Sequence, residues 1–406
     1  MIDTVLEGPS NLDTSVISTQ DPTPPFEEPQ NLRPRLIGRM RGSKGFPTLI
    51  VLGSVHGNEP SGFLALERVV ATLEQDSTGL LGEFVALVGN RRALSAGKRF
   101  LKNDLNRHWQ PERVERIKSA DGVLEAEDLE LWELETELRS VIDAAEGPVF
   151  AIDLHTTSGP GPCFVVLDDS LKNREFALPV PSTIVVGLEE ELSGTVTHYM
   201  NNQGLTVFGF EAGQHEDPTS VDRAEAAIWI ALESAGVVER GSRTEVDTGR
   251  LLLAEDRGSL PHVVEMRYRH GVTPEDEFRM HPGFRNFQSV VEGQTLADDS
   301  QGPVTAPETG RILMPLYQKQ GEDGFFIVRP LKEVWLEISA QVRRHHWERF
   351  IHWLPGVKKH PNLENTFIVD RRWARFLAAE LFHLLGYRRC GPKHDRFLFM
   401  TRRSEE

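Results

Sequence analysis

Five short, almost wholly apolar segments between residues 35 and 240 constrain most strongly what this chain can fold into. They alternate with helix-like segments, an order that predicts an α/β domain with a mainly parallel sheet. Strands that are apolar on both faces are typical of a sheet that helices cover on both sides. The predicted strands are 48–54, 83–89, 149–154, 182–188 and 205–210, and the predicted helices are 60–74, 111–118, 124–145 and 219–235.

The regions on either side of this domain differ from it in composition. Residues 1–34 are rich in Pro, Ser, Thr, Asp and Glu, which predicts a flexible N-terminal arm or an extended strap. Residues 241–330 carry short β-like runs separated by Gly and Pro, which predicts a small all-β domain. Residues 331–406 are basic and aromatic, with helix-like stretches at 335–353 and 371–386, and predict a helical C-terminal appendage.

The predicted helix 124–145 is strongly acidic. Its acids interleave with Leu and Trp, so the pattern favours an amphipathic helix whose charged face is in water. The acidic residues are Glu125, Glu127, Asp128, Glu130, Glu133, Glu135 and Glu137.

Composition excludes several classes of protein. The 406 residues carry a net charge of −16, which argues against a nucleic-acid partner, because that affinity comes from Lys and Arg. Two cysteines make a disulfide framework unexpected and favour a reducing, cytoplasmic setting. We find neither a signal peptide nor an apolar run long enough to cross a membrane. Homo-oligomer formation stays open.

Three His-x-x-Glu pairs raise the question of a metal site. His262 and Glu265 lie in a β-like run, where residues three apart point to opposite faces. His345, Glu348 and His352 share one face of a predicted helix and are a rival site, but neighbouring arginines would repel a cation. His56 and Glu59 follow a predicted strand and precede a helix, where α/β sheets place their chemistry.

A catalytic zinc usually has three protein ligands, so His56 and Glu59 need a third. His155 stands where another apolar strand ends. Asp153, two residues earlier, points to the same side and is predicted to orient the imidazole. This donor set favours zinc, although manganese or cobalt would also fit it.

The predicted proton-transfer group is Glu211, which directly follows the apolar strand 205–210. A carboxylate at that position is costly unless it is exposed in a cleft or paired. Arg99 and Arg107 lie after the strand 83–89, and an arginine that binds a carboxylate through two nitrogens is the natural interpretation. Exposed carboxylates and surface arginines are the alternatives for these residues.

Five motifs, in this order, resemble those of the succinylglutamate desuccinylase/aspartoacylase family, which is related to zinc carboxypeptidases. The resemblance covers about residues 45–330 and rests on His56-Gly-Asn-Glu59, Arg99, Asp104-Leu-Asn-Arg107, Asp153-Leu-His155-Thr-Thr-Ser and Phe210-Glu211-Ala-Gly.

The resemblance implies a zinc-dependent hydrolase of the amide bond in a small N-acyl amino acid, with a zinc-carboxypeptidase-like fold. Its implied residue roles are zinc binding by His56, Glu59 and His155, general base and acid catalysis by Glu211, stabilisation of the oxyanion by Arg99, and binding of the substrate carboxylate by Asn106 and Arg107. Aspartoacylases also place a substrate-binding Arg shortly before the catalytic Glu, where this chain has His198 to Asn201. This departure leaves a dicarboxylic substrate open.

Two further functions remain open on sequence alone. One is a carboxypeptidase-like peptidase that uses the same zinc site on a peptide C-terminus. The other is a non-catalytic binding or scaffold protein whose C-terminal tail is the functional part.

Overall fold

The computed structural model describes residues 32–119, 124–345, 353, 356–361, 366–370, 388–390 and 397–401. The N-terminal arm predicted for residues 1–34 and the helix predicted at 371–386 therefore lie almost wholly or wholly outside the described residues. Within the described ranges, no helix has the length and apolar character needed to span a membrane.

Strands and helices alternate through the first two thirds of the chain, and strands dominate after residue 260. The strands are β1 (Leu36–Arg41), β2 (Thr48–Gly53), β3 (Glu83–Val88), β4 (Val149–Thr157), β5 (Phe164–Leu167), β6 (Thr183–Val186), β7 (Thr206–Gln214), β8 (Val263–Gly271), β9 (Arg279–Met280), β10 (Ser289–Val290), β11 (Thr295–Asp299), β12 (Gly302–Thr305), β13 (Gly310–Leu313), β14 (Asp323–Pro330), β15 (Val357–Lys359), β16 (Thr366–Asp370), β17 (Arg388–Cys390) and β18 (Phe397–Thr401). The helices are α1 (Ser61–Gln75), α2 (Arg91–Ala96), α3 (Pro111–Lys118), α4 (Ala126–Ala144), α5 (Leu171–Ala177), α6 (Val196–Asn202), α7 (Thr219–Ser234), α8 (Thr244–Arg257) and α9 (Glu333–Arg344), with 3-10 turns at Leu105–Arg107, Glu189–Glu191 and Pro274–Asp276.

An 11-stranded mixed sheet forms the centre, in the order β1-β3-β2-β4-β7-β5-β6-β8-β14-β13-β10. The strands β3, β2, β4 and β7 run parallel to one another, whereas β5 is antiparallel to β7. One core packs α1 and α7 on one side of the sheet, and a second packs α3, α4 and α6 on the other. The predicted α/β class with a mainly parallel or mixed sheet is confirmed.

The β-rich region does not stand apart from this sheet. Its strands β8, β14, β13 and β10 extend it, with β8 parallel to β6. The strands β9, β11 and β12 form a separate three-stranded sheet, which packs with β10, β13 and β14 of the central sheet around one small core.

The described part of the C-terminal region combines a helix with strands. Helix α9 occupies the beginning of the stretch predicted to be helical. The strands β15, β16, β18 and β17 form a four-stranded antiparallel sheet, which the prediction of a helical appendage did not contain.

The prediction of a solvated acidic face on helix 124–145 was wrong, because four of the acids in α4 are buried. Glu127 is 1% and Glu130 0% exposed, and Asp128 and Glu135 are also buried. Their partners come from distant parts of the chain. Arg92 donates to Glu130 at 2.6 Å, Arg113 to Asp128 at 2.6 Å, and the hydroxyl of Tyr199 to Glu135 at 2.9 Å. Paired acids can be buried at a tolerable free-energy cost.

Candidate metal and catalytic site

The loop after β2 brings His56 and Glu59 together. Ser54 has a positive φ of 59° and donates from its hydroxyl to the carbonyl oxygen of Glu59 at 2.9 Å, which closes a tight turn. Gly57 packs against α2 so closely that a Cβ there would lie 2.0 Å from the carbonyl carbon of Ala93. The turn sets the Nδ1 atom of His56 2.9 Å from Oε1 of Glu59.

The third predicted ligand, His155, reaches the same place from the end of β4. Its Nδ1 atom lies 3.1 Å from Oε2 of Glu59, so the carboxylate lies between the two imidazoles. The backbone N–H of Thr156 donates to the same oxygen at 2.8 Å. Ligand atoms of His56, Glu59 and His155 all lie within 4.8 Å of one another, and no other such group of three occurs in the part of the chain that the structure describes.

The arrangement suits a metal ion because both imidazoles present Nδ1 to the centre and bind a carboxylate through Nε2. Asp104 lies 3.0 Å from Nε2 of His56, and Asp153 lies 2.7 Å from Nε2 of His155. Carboxylates at that position fix the tautomer and orientation of a metal-binding histidine. Two imidazole nitrogens and one carboxylate form a typical catalytic zinc donor set. Asp153 thus contacts the imidazole of His155, and its orienting role stays a prediction.

The charges of the cluster are strongly coupled. Burial alone would raise the pKa of Glu59, but the charge of His56 and the hydrogen bonds of both histidines hold it well below its usual value. Burial opposes the charge on His155, yet Asp153 and Glu59 raise its pKa well above the ordinary value. The cluster thus favours a positive charge between its carboxylates, which an imidazolium or a bound cation would supply.

Glu211 faces this cluster from β7. It is the register partner of His155 on the neighbouring strand, and its side chain is buried. Its Oε2 atom has no hydrogen-bond partner among the described residues. Burial, with the nearby charges of Glu59 and Asp153, raises the pKa of Glu211 to about 8. A buried carboxyl oxygen that has no hydrogen-bond partner and lies beside potential metal ligands is available for proton transfer.

Arg99 packs directly against the cluster of His56, Glu59 and His155. Its guanidinium donates to Asp104 at 3.0 Å and lies 3.4 Å from Glu59. The carboxylate of Glu127 holds the loop that follows Arg99, since it accepts the backbone N–H groups of Leu101 at 2.7 Å and Lys102 at 3.0 Å. The buried acid of α4 thus fixes the loop that carries Arg99 and Asp104.

Asn106 and Arg107 have different partners. The amide nitrogen of Asn106 lies 3.3 Å from Nε2 of His155, and its side-chain oxygen accepts the N–H of Val196 at 2.9 Å. Arg107 donates to Asp323 at 3.1 Å. Asn106 is therefore fixed beside a predicted ligand, whereas Arg107 contacts the β-rich region.

Of the two other His-x-x-Glu pairs, the structure describes only the first completely. His262 directly precedes β8 and Glu265 lies within it, and the two belong to no cluster among the described residues. His345 follows α9 directly, while Glu348 and His352 lie outside the described residues.

Sequence reasoning missed three contributors. Asp104 belongs to one of the five motifs, but the sequence predicts no role for it, and the acidic pattern of the helix predicts that Glu127 is in water. His215 was not considered, although its imidazole bridges Thr156 at 2.7 Å and Gln318 at 3.1 Å. Gln318 also accepts from Asn58 at 3.1 Å. The position of Asp104 between Arg99 and Asn106 was the one available signal.

Comparison with known proteins places this site in a recognised catalytic domain. Residues 46–227 match the family model of the succinylglutamate desuccinylase/aspartoacylase catalytic domain. All of the predicted metal, catalytic and substrate-binding residues lie within the matched range.

Solved structures share the fold at low sequence identity. The product-bound ectoine utilization protein EutE (DoeB) from Ruegeria pomeroyi is 18% identical, with a TM-score of 0.53 over 72% of this chain and 87% of that one. A succinylglutamate desuccinylase/aspartoacylase from Rhodobacter sphaeroides is also 18% identical, with a TM-score of 0.53 over 73% and 88%. A succinylglutamate desuccinylase from Vibrio parahaemolyticus is 16% identical, with a TM-score of 0.51 over 74% and 97%.

Proposed function

Since the chain is a member of the succinylglutamate desuccinylase/aspartoacylase family, with its catalytic domain in residues 46–227, we propose that it is a zinc-dependent hydrolase of the amide bond in a small N-acyl amino acid or related amide. The family consists of acyl-amino-acid deacylases, so hydrolysis of an amide is the expected reaction class. The observation that carries the proposal is the meeting of His56, Glu59 and His155 beside the unpartnered carboxyl oxygen of Glu211.

The three ligands would hold zinc, with Asp104 and Asp153 fixing the imidazoles. When bound, zinc supplies a Lewis acid that makes water acidic near neutral pH. A cation at this site also favours the ionised form of Glu211, whose pKa burial otherwise raises. Glu211 would then start the reaction as a carboxylate although it is buried.

Glu211 would act first as general base and then as general acid. Its free Oε2 would accept a proton from the water that attacks the amide carbonyl, and the same group would return the proton to the departing amine nitrogen. Arg99, which Asp104 holds in place, would donate to the carbonyl oxygen as negative charge develops there.

Asn106 and Arg107 would bind the substrate carboxylate. Asn106 lies next to His155, which sets the substrate group close to the reacting amide. The Nε atom of Arg107 is buried without a hydrogen-bond partner among the described residues. A small carboxylate-bearing molecule is therefore the proposed substrate. We further propose a cytoplasmic setting, for which the sparse cysteines and the free, buried thiol of Cys163 are the support.

A screen of N-acyl amino acids, with and without a chelator, tests the reaction. Activity should disappear when the chelator removes zinc and should return when zinc is restored. Hydrolysis that persists in protein shown to be free of metal would contradict the zinc requirement, and inactivity on every acyl amino acid would contradict the substrate class.

Glu211→Gln tests the role of the carboxylate. The variant should retain stoichiometric zinc and lose turnover by about 10²-fold or more, because a proton-transfer group is lost. Glu216→Gln, an exposed carboxylate just after the same strand, is the matched control and should keep full activity. Undiminished kcat in Glu211→Gln would remove the residue from the mechanism.

A further inference from the structure

A single carboxylate, Asp323, lies between two arginines at the edge of the proposed site. Its Oδ2 atom accepts from Nη2 of Arg107 at 3.1 Å, and its Oδ1 atom accepts from Nε of Arg269 at 2.5 Å. Arg107 belongs to the 3-10 turn Leu105–Arg107, Arg269 to β8, and Asp323 begins β14. The arrangement therefore joins the catalytic domain to the β-rich region.

The pair of arginines has the character of an anion site. The side chains of Arg107 and Asp323 are only 16% and 13% exposed, so water screens their interaction less than it would on an open surface. Glu322 is the other acid nearby, but it is 64% exposed and 3.8 Å from Nε of Arg107. Two guanidinium groups thus share one close carboxylate, which the protein itself supplies.

Arg107 is also the residue that we propose binds the substrate carboxylate. Its Nη1 atom donates to the carbonyl oxygen of Asn106 at 2.9 Å, and its Nη2 atom is bound to Asp323. The buried Nε–H is left for a ligand. A substrate carboxylate at Nε would lie close to the carboxylate of Asp323, and like charges in a partly dry site repel each other.

We propose that Asp323 is a specificity-determining residue, an internal carboxylate that competes with the substrate carboxylate for Arg107. This inference rests on the proposed function of Arg107. Asp323 lowers the affinity of the site for anionic groups and leaves the affinity for a neutral carboxamide at the same place almost unchanged. A residue of the β-rich region thereby determines how strongly the site prefers one acyl amino acid over another.

Binding to the full-length, zinc-loaded protein tests this, with Glu211→Gln as background so that turnover does not interfere. The probes are N-acetyl-L-alanine and its carboxamide, titrated calorimetrically at fixed salt. Asp323→Asn should tighten binding of the free acid by about fivefold or more and change binding of the carboxamide by less than about twofold. Glu322→Gln, which removes an exposed neighbouring charge, should change neither probe by more than about twofold.

Two further variants separate competition from a general structural effect. In an Arg107→Gln background, Asp323→Asn should no longer tighten binding of the free acid, because the guanidinium for which Asp323 and the substrate compete is absent. Arg269→Gln leaves Asp323 to Arg107 alone and should weaken binding of the free acid, which keeps the proposal testable if Asp323→Asn does not fold.

The proposal is overturned if folded Asp323→Asn binds the free acid no better than the parent, or if it gains equally for acid and carboxamide. It is also overturned if Arg269→Gln binds the free acid as well as the parent does. These are equilibrium measurements, so they remain readable even if the protein hydrolyses no acyl amino acid and the proposed reaction fails.

Discussion

At the scale of single residues, the two histidines of the proposed metal site have matching surroundings. Each turns Nδ1 towards Glu59 and Nε2 towards an aspartate, Asp104 for His56 and Asp153 for His155. Both aspartates are buried or nearly so, and Arg99 holds Asp104. The imidazoles are therefore oriented before any cation arrives, which reduces the entropic cost of binding one.

Replacing either aspartate should weaken metal binding without unfolding the protein. We expect Asp104→Asn and Asp153→Asn each to lower zinc affinity by about 10- to 100-fold, because the amide keeps the shape but loses the charge that orients the imidazole. Competition with a chromophoric chelator measures the affinity. Asp143→Asn, on the exposed end of α4, is the control. Equal zinc affinity in all three variants would show that the contacts are incidental.

The sequence predicts residue contacts well where strand ends converge, and poorly where loops decide. His56 and Glu59 follow β2, and His155 and Glu211 lie near the ends of β4 and β7, so the parallel strands bring all four to one edge of the sheet. The structure brings together the first three as a cluster and sets Glu211 beside it. The contact of Asp104 with His56 depends on a loop 48 residues away, and the pairing of Arg107 with Asp323 spans 216 residues. No local pattern encodes either pair.

At the scale of elements, α4 organises the loops that follow β3. Glu127 accepts backbone N–H groups from the loop of Arg99, and Glu130 accepts those of Arg91 and Arg92 at 3.1 Å at the start of α2. Two acids on one helix face thus fix the start of α2 and the loop that carries Arg99. A charged face that normally points to water here satisfies buried donors.

The periodicity of the sequence predicts the position of α4, but it does not show whether the acidic face of this helix is buried or exposed to water. The helix was predicted at 124–145 and spans Ala126–Ala144. Its burial depends on Arg35, which is 95 residues away from Glu130, and on Arg92, which is 38 away. The short strands β1 and β5 were missed for a similar reason, because pairing with β3 and β7 stabilises segments with weak local patterns.

Glu133 of α4 forms ion pairs with Arg35, Arg91 and Arg92. These ion pairs make the stability of the protein depend on pH. Burial alone would raise the pKa of this carboxyl, but hydrogen bonds from Arg92 and the charges of Arg35 and Arg91 lower it from 4.5 to about 2. The folded pKa is below the unfolded one, so the stabilisation is complete above the unfolded value and is lost as pH falls towards 2.

Glu133→Gln should therefore reduce the free energy of unfolding by about 1–2 kcal/mol at neutral pH, after allowance for partial exposure. The difference from the parent should shrink as pH falls below about 4, where the parent carboxyl also begins to take up its proton. Urea titrations at several pH values measure it. Glu137→Gln on the same helix is the matched control for the loss of one acidic charge. A difference for Glu133→Gln that stays constant as the pH falls would refute the assignment.

At the scale of the whole molecule, the α/β region and the β-rich region share one sheet and one cluster of buried side chains. A cluster of buried side chains joins Phe164 and Val185 of the catalytic part to Val264, Phe326 and Val328 of β8 and β14. Gln318 of the β-rich region adds a polar contact between the two regions, since it binds Asn58 and His215 of the α/β region. The predicted boundary near residue 240 therefore marks a change of composition, and the sheet crosses it through the pairing of β6 with β8.

This continuity predicts that β5 and β6 unfold together with β8 and β14. Phe326 is 0% exposed within the shared cluster, and Phe326→Ala should cost about 3–5 kcal/mol. Hydrogen exchange at increasing urea concentrations, followed by mass spectrometry, measures the urea midpoint of unfolding for each peptide. In Phe326→Ala this midpoint should fall by the same amount for peptides from all four strands. Leu296→Ala is the matched control, because Leu296 is equally buried in a different cluster, which joins β11 and β12 to β14 and contains no residue of β5 or β6. It should destabilise β11 and β12 more than β5 and β6. If Phe326→Ala lowers the midpoint of β14 alone, the two regions unfold independently and the shared core does not couple them.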